Sequence, residues 1–169
     1  LADKYAAIEP PTWSLLLAES CRSIGHKVGI CDANAEQLTG SDVLERIKQL
    51  NPRLICFVVY GQNVNAGTVN MSGALYLSTY LKEHNIKAPI AYIGSHVQAL
   101  PIKTLKDEPS IDFVFANEGV YSLRNVLSLK SIDINDLGDI NGIVWRKDGK
   151  PTFNPPEKVV PRDRMDVDL

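Results

Sequence analysis

The segment from Ala88 to Pro101 constrains the fold more than any other stretch of the chain. It contains a short apolar run, Ile90 to Ile93, that stops at Gly94 and is followed by an apolar, helical pattern. Runs of this kind are typical of strands buried on both faces, as in parallel sheets. A glycine at the carboxyl end of a strand lets the backbone approach a ligand closely, because it has no Cβ. The alternative interpretation is an ordinary strand-to-helix turn with a surface histidine, His96.

Strand and helix patterns alternate along most of the chain. Between the apolar runs, apolar residues recur on one helical face, with predicted caps at Thr12 and Ser41. This alternation predicts a flavodoxin-like (Rossmann-like) α/β fold, in which a parallel sheet has helices on both faces. The apolar composition of one run, Leu54–Tyr60, predicts a central strand. The other predicted strands are Lys27–Cys31, the run to Ile93 and Ile111–Phe115, and a first strand upstream would complete five.

The last part of the chain differs from the rest. An Asp-Gly turn at Asp148 and Gly149, flanked by apolar residues, predicts a β-hairpin. The proline- and charge-rich residues after it are predicted to form a tail or linker. The predicted organisation is therefore an α/β domain at 1–139, its first strand missing or upstream, a closing hairpin at 140–154, and a tail at 155–169.

Composition limits the classes of function. The chain has 169 residues and a formal net charge of -2, which gives no indication of nucleic acid or of an anionic membrane as a partner. No apolar run approaches the roughly 20 residues that a membrane-spanning helix needs. The three cysteines match no zinc or iron–sulfur spacing, and their scatter fits a reducing cytoplasm.

Four loops follow the predicted strands, and ligands of open α/β sheets bind at that carboxyl edge. The loops supply amides, a histidine, an acid and glycines, whereas Gly-x-Ser-x-Gly, Gly-x-Gly-x-x-Gly and Walker patterns are absent. They predict a binding rim for a large polar group rather than a reaction centre, although each residue has an alternative role in a turn or cap. The loops are Asp32–Glu36, Tyr60–Asn65, Gly94–Val97 and Asn117–Gly119.

Several segments, taken in order, resemble the cobalamin-binding domain found at the N-terminus of cobalamin-dependent radical SAM enzymes. Gly94-Ser-His-Val-Gln-Ala-Leu-Pro101 is similar to the family's Gly-Gly-Pro-His turn, and Ile111-Asp-Phe-Val-Phe115 followed by Glu118-Gly119 is similar to a later strand and loop. The resemblance extends from about Pro10 to Asp166. The remaining matching segments are Pro11–Ala18, Gly25–Val28, Asp32–Glu36, Asn51–Ile55 and Asn141–Lys150.

The resemblance implies that cobalamin lies at the carboxyl edge of the sheet, with its nucleotide tail in a cleft beside the sheet. The implied cofactor-binding residues are Asp32, Asn34, Tyr60, Gln62, Asn63, Gly94, Ser95, His96, Glu118 and Gly119. No catalytic residue is implied for this chain alone.

Two positions depart from the family pattern. Asn34 stands where mutase-type cobalamin domains carry the histidine that binds cobalt, so no histidine ligand is expected and the cobalamin would be base-off. The lower face of cobalt would then lie near Gln62 or Asn63. Asn117 stands where the family often has glycine.

The parent enzyme implied by the resemblance is a methyltransferase or cyclase with a 4Fe-4S cluster and S-adenosylmethionine. The cluster motif Cys-x-x-x-Cys-x-x-Cys is absent here, so a C-terminal radical SAM domain of the same parent chain is the expected partner. The alternatives are a flavodoxin-like signalling or interaction module that binds no cobalamin, and an FMN-binding protein.

Overall fold

The computed structural model describes residues 10–60 and 64–169. Its helices are α1 Thr12–Ser23, α2 Gly40–Leu50, α3 Val64–Glu83, α4 Ser95–Ala99, α5 Pro101–Asp107, α6 Val120–Ser128 and α7 Met165–Asp168. Its strands are β1 Ile55–Val59, β2 Ile90–Gly94, β3 Phe113–Phe115, β4 Ile143–Lys147 and β5 Lys150–Phe153, and 3-10 helices occupy Ile134–Asp139 and Arg162–Arg164. Among these described residues, no helix is both long and apolar enough to cross a membrane.

The five strands form one sheet in the order β1-β2-β3-β4-β5. The first three strands are parallel, and β4 and β5 continue the sheet as an antiparallel hairpin. Asp148 and Gly149 connect the hairpin with φ angles of 51° and 76°, and two positive angles are what a two-residue type I′ turn requires. The predicted hairpin is therefore confirmed, and it belongs to the same sheet as the parallel strands.

Helices cover both faces of the sheet, as predicted. Successive side chains of a strand point to opposite faces, and β2 is completely buried along its length. Ala91 and Ile93 pack in one apolar cluster with residues of α1 and α6. Ile90 and Tyr92 pack in the other cluster with residues of α2 and α3. Burial on both faces explains why the sequence of β2 contains no charged residue.

The strand predicted at Lys27–Cys31 is wrong. Within residues 10–60 and 64–169 the segment pairs with no strand, and the carbonyl of Val28 instead accepts a hydrogen bond of 2.9 Å from the guanidinium of Arg22. The central position predicted for Leu54–Tyr60 is also wrong for the described part of the chain, where β1 lies at the sheet edge and its middle residues are only half-buried. Composition indicates that a segment can form a strand, but strand pairing depends on neighbours that are distant in sequence.

The predicted helix caps are each displaced. Thr12 is the first residue of α1 rather than its cap, which is Pro11. Thr39, and not Ser41, caps α2 through a capping box. The Thr39 backbone N–H donates to the Asp42 carboxylate at 2.8 Å, and the Asp42 N–H donates to the Thr39 hydroxyl at 3.3 Å. A capping box needs an acidic or amide side chain three residues after the cap. Asp42 provides it for Thr39, whereas Leu44 stands at that position for Ser41.

Residues 155–169 lie as a strap across α6. The backbone N–H of Gly142 donates to the carbonyl of Pro155 at 2.7 Å, which places the start of the strap beside the first residues of β4. Near the other end Asp168 is buried and accepts hydrogen bonds from Tyr121 and Arg124 of α6. The segment predicted to be a tail thus packs on the α/β domain.

Candidate functional site

Three turns meet at the carboxyl edge of the parallel strands. The register pairs Val59 of β1 with Gly94 of β2, so these two strands end at the same level. The third turn follows β3, which is parallel to β2. Of the predicted site residues, the turns contain Tyr60, Gly94, Ser95, His96, Glu118 and Gly119.

Gly94 marks a very close approach between the ends of β1 and β2. A Cβ built on Gly94 would lie 2.0 Å from the carbonyl oxygen of Val59, and its φ of 153° is one that other residues rarely adopt. A second close approach lies beside it, where a Cβ on Gly67 of α3 would be 2.3 Å from the hydroxyl of Ser95. Glycine is thus required at Gly94, because any side chain there would collide with the backbone at the end of β1.

The two residues after Gly94 carry the polar groups of this turn. The Ser95 hydroxyl oxygen is buried and has no hydrogen-bond partner among the residues that the structure describes. His96 Nδ1 lies 3.1 Å from the hydroxyl of Thr68 in α3. A buried hydroxyl without a partner carries a desolvation cost, so Ser95 would gain from a ligand that supplies a hydrogen bond.

Tyr60, directly after β1, contacts α4 and α1 through Gln98 and Trp13. Its hydroxyl accepts a hydrogen bond of 3.0 Å from the amide of Gln98, and its ring meets that of Trp13 edge-on with centroids 5.7 Å apart. Burial raises the pKa of Tyr60, so the phenol remains neutral at physiological pH. The indole Nε1 of Trp13 is buried and unpartnered within residues 10–60 and 64–169. This side of the edge therefore presents neutral donors.

The turn after β3 is held by its own side chains. Asn117 Oδ1 accepts a hydrogen bond of 2.9 Å from the backbone N–H of Gly119, and Asn117 Nδ2 donates to the carbonyl of Glu157 at 3.0 Å. The Glu118 carboxylate accepts from the backbone N–H of Val160. Asn117 and Glu118 thus bind the strap, and Gly119 starts α6 with a φ of 80°.

Two other predicted residues lie in a turn that makes its own contacts. The Asp32 carboxylate accepts a hydrogen bond of 3.0 Å from the backbone N–H of Ala35, and the Asn34 carbonyl accepts from Gln37. Among the described residues, neither side chain bonds to the three turns at the sheet edge. The remaining predicted residues, Gln62 and Asn63, lie outside the described residues.

Sequence reasoning missed two residues that shape the site. Gln98 joins two of the turns, because its amide donates both to the Tyr60 hydroxyl and to the Asn117 carbonyl. Gly67 gives Ser95 its space. Gln98 lies four residues after Gly94, at the spacing of one helical turn, and this spacing was a usable signal. Nothing local in the sequence distinguishes Gly67.

Two shallow grooves lie elsewhere, on the second half of α3. One has a volume of about 400 Å³ and is lined by residues that include Tyr76 and Tyr80. The other, of about 300 Å³, reaches Ser110 and Asp112 just before β3. Both are near the amino ends of the strands, away from the turns described above.

The sequence family described as the B12 binding domain matches residues 1–127. The uncharacterized methyltransferase PH0819 of Pyrococcus horikoshii is 28% identical over 151 residues, which cover 89% of this chain and 31% of that protein. The anaerobic magnesium-protoporphyrin IX monomethyl ester cyclase of Synechocystis is 27% identical over 139 residues, which cover 82% of this chain and 27% of that protein. The chain therefore spans about a third of the length of these curated relatives.

Among solved structures, the apo form of OxsB, a cobalamin-dependent S-adenosylmethionine radical enzyme, is similar in fold. The TM-score is 0.65 at 19% identity, and the match covers 88% of this chain and 20% of that chain. The fold of this chain is thus one that a solved structure also contains.

Proposed function

We propose, from the premise that this chain belongs to the B12 binding domain family, that it carries cobalamin for a larger radical S-adenosylmethionine enzyme. The family match over residues 1–127 is the observation that carries this proposal. The names of the relatives, a methyltransferase and a cyclase, support methyl transfer or related radical chemistry for the whole protein. The fold of OxsB is consistent with it.

The chemistry of the edge fits this cofactor. The corrin ring of cobalamin carries neutral amide side chains, which need hydrogen-bond donors and acceptors rather than a charge of one sign. The edge offers the buried hydroxyl of Ser95 and the indole N–H of Trp13, each without a partner among described residues. The close approach of β1 and β2 at Gly94 brings the turns after these two strands together at the edge.

Different residues would hold the cofactor in different ways. Ser95, His96 and Tyr60 would contact it through their side chains, and Gly94 through its backbone. Glu118 and Gly119 would shape the rim, because the Glu118 carboxylate already accepts from Val160. Bound cobalamin would supply the methyl-transfer or radical chemistry, while the protein binds and orients it.

The lower face of cobalt would receive no histidine from the turn after α1. Asn34 replaces the histidine of the mutase-type motif, and it is exposed in the same turn as the half-buried Asp32. We expect a base-off cobalamin whose lower face lies nearest Gln62 or Asn63. Substituting each by alanine would then change the visible spectrum of bound cobalamin.

The partner in this proposal is a radical SAM domain of the same parent protein, which would hold the 4Fe-4S cluster and S-adenosylmethionine. The cysteines Cys21, Cys31 and Cys56 are free, which supports a reducing compartment such as the cytoplasm.

Titration of the folded chain with hydroxocobalamin tests the proposal. Saturable binding followed by calorimetry, with a base-off visible spectrum, is the expected result. A folded chain that takes up no cobalamin would contradict it and favour an interaction module. Uptake of FMN instead would be evident from a flavin spectrum.

A further inference from the structure

The carboxylate of Asp168 joins the end of the strap to α6. It accepts a hydrogen bond of 2.7 Å from the Tyr121 hydroxyl and one of 3.0 Å from the Arg124 guanidinium. Arg164, one turn earlier in the strap, donates to it at 3.1 Å. Hydrogen bonds from Arg164 and Tyr121 hold the pKa of Asp168 well below its usual range, so the carboxylate is charged at neutral pH.

Arg124 also binds α1, which makes Asp168 part of a three-element junction. Its Nε donates to the Ser20 hydroxyl at 2.9 Å, and its Nη2 donates to the Ser23 hydroxyl at 3.1 Å. Ser20 and Asp168 are both buried, whereas Arg164 is largely exposed. Charged hydrogen bonds at a buried position are among the stronger polar interactions in proteins, so the junction fixes this end of the strap.

The other end of the strap binds the turn after β3. The backbone of Glu157 accepts from the Asn117 amide, and the backbone N–H of Val160 donates to Glu118. At this same end, Asn125 of α6 donates to the Glu157 carboxylate at 2.9 Å. The strap is thus joined to α6 at both of its ends. At the end that contains Glu157 and Val160, it is also bonded to side chains of the turn after β3.

We propose that Asp168 is a positioning residue, which fixes the turn Asn117–Gly119 at the ligand edge by holding the strap on α6. The identity of the ligand rests on the proposed function above, but the coupling between Asp168 and the turn does not. Docking of Glu157 and Val160 supplies two of the hydrogen bonds that hold Asn117 and Glu118 in their observed positions. Release at Asp168 therefore loosens a turn that it does not touch.

Hydrogen exchange of the whole 169-residue chain without any ligand tests the coupling. The variant is Asp168→Asn, which keeps the size but removes the charge, and the control is Asp166→Asn, an exposed carboxylate of the same helix. We expect amides at 157–160 and at 117–120 to exchange about tenfold faster in Asp168→Asn, with those of β2 unchanged. The control should exchange like the unmodified chain.

Tyr121→Phe provides a milder second variant, since it removes one hydrogen bond to Asp168 and keeps the ring. It should accelerate exchange of the same two segments by a smaller factor. Faster exchange at 157–160 with unchanged exchange at 117–120, or no change in either segment, would overturn the proposal. Should Asp168→Asn unfold the chain, Tyr121→Phe decides between these outcomes.

A hydroxocobalamin titration of the same variants adds a functional readout. Asp168→Asn should bind about tenfold more weakly, and Asp166→Asn should bind normally. Equal affinity of Asp168→Asn and the unmodified chain would overturn the positioning role. Failure of the unmodified chain to bind would instead contradict the proposed function, and the exchange experiment would still test the coupling.

Discussion

The turn after β2 and the turn after β3 lie next to each other at one sheet edge, yet their polar groups are satisfied very differently. In the first turn, the buried hydroxyl of Ser95 has no partner among the described residues. In the second turn, Asn117 bonds to Gly119 and Glu157, and Glu118 bonds to the strap. The difference supports the proposal that the first turn receives the ligand and that the second turn holds the strap.

Free energy explains why this difference is informative. A buried polar group without a partner costs about 1–3 kcal/mol, and native structures contain few of them. The cost at Ser95 would be recovered if the proposed ligand supplied the missing hydrogen bond. At Asn117 there is no such cost to recover, so a ligand there would have to displace existing bonds.

The largest effect is expected from Gly94→Ala. The added methyl group would lie 2.0 Å from the Val59 carbonyl oxygen, so the ends of β1 and β2 must separate. We expect a loss of about 3 kcal/mol in the free energy of unfolding and loss of cobalamin binding, measured by urea denaturation and titration. Gly73→Ala is the control, because a Cβ there meets nothing within 4 Å. Equal stability of the two variants would be inconsistent with the close approach.

Asn117→Ala should have the next largest effect on stability. It removes the hydrogen bonds to the Gly119 N–H and the Glu157 carbonyl, at about 1 kcal/mol each, or about 2 kcal/mol in total by urea denaturation. Asn135→Ala, which removes an exposed side chain from a 3-10 helix, should cost much less. If Asn117→Ala weakened cobalamin binding without any loss of stability, the turn after β3 would be a ligand contact instead.

Ser95→Ala should separate stability from binding. Removing an unpartnered buried hydroxyl should leave the free energy of unfolding unchanged or raise it by up to about 1 kcal/mol. Hydroxocobalamin affinity should fall about tenfold, as expected for one lost hydrogen bond to the ligand.

Ser122→Ala is the matched control for this change. Its hydroxyl in α6 is also buried and unpartnered within the described part of the chain, but it faces Gly142 and not the turn after β2. Its substitution should affect stability in the same way as Ser95→Ala and should leave the affinity for hydroxocobalamin unchanged. An equal loss of affinity in both variants would contradict a hydrogen bond between Ser95 and the ligand.

The smallest effect is expected from the titration of Tyr60. Burial raises its pKa above that of the unfolded chain, so the folded state retains the proton longer. The resulting stability is fully present below the unfolded pKa of about 10 and is lost as the pH rises through the folded pKa. Tyr60→Phe should therefore show a flatter decline in stability above about pH 10 in urea denaturation. An identical decline in both proteins would contradict burial of the phenol.

Much of the fold follows from local patterns. The apolar runs predicted β1, β2 and β3 to within about two residues, and the Asp-Gly turn predicted the hairpin. Lys27–Cys31 was predicted wrongly because a strand also needs a hydrogen-bonding neighbour, which no local pattern reveals. The strap looked like a linker for the same reason, since its docking depends on Asp168 meeting Arg124, 44 residues earlier.

The site was predictable only in part. Glycine after an apolar run correctly marked the edge at Gly94, where only glycine fits. Asp32 and Asn34 were predicted there from the strand before them, which the described residues do not form, and from the family resemblance. They bond within their own turn, and their contact with the cofactor stays a prediction. Which hydroxyl lacks a partner depends on packing between α3 and β2, and so Ser95 could be named from sequence but not distinguished from its neighbours.

Hydrogen exchange of the unmodified chain with and without hydroxocobalamin tests the difference between the turns after β2 and after β3 most directly. Bound cobalamin should protect amides at Gly94–Val97 strongly, because ligand contacts and excluded water suppress opening there. The turn Asn117–Gly119 should change little, since its hydrogen bonds already exist in the free chain. Protection confined to the grooves on the second half of α3, or stronger after β3 than after β2, would contradict the account.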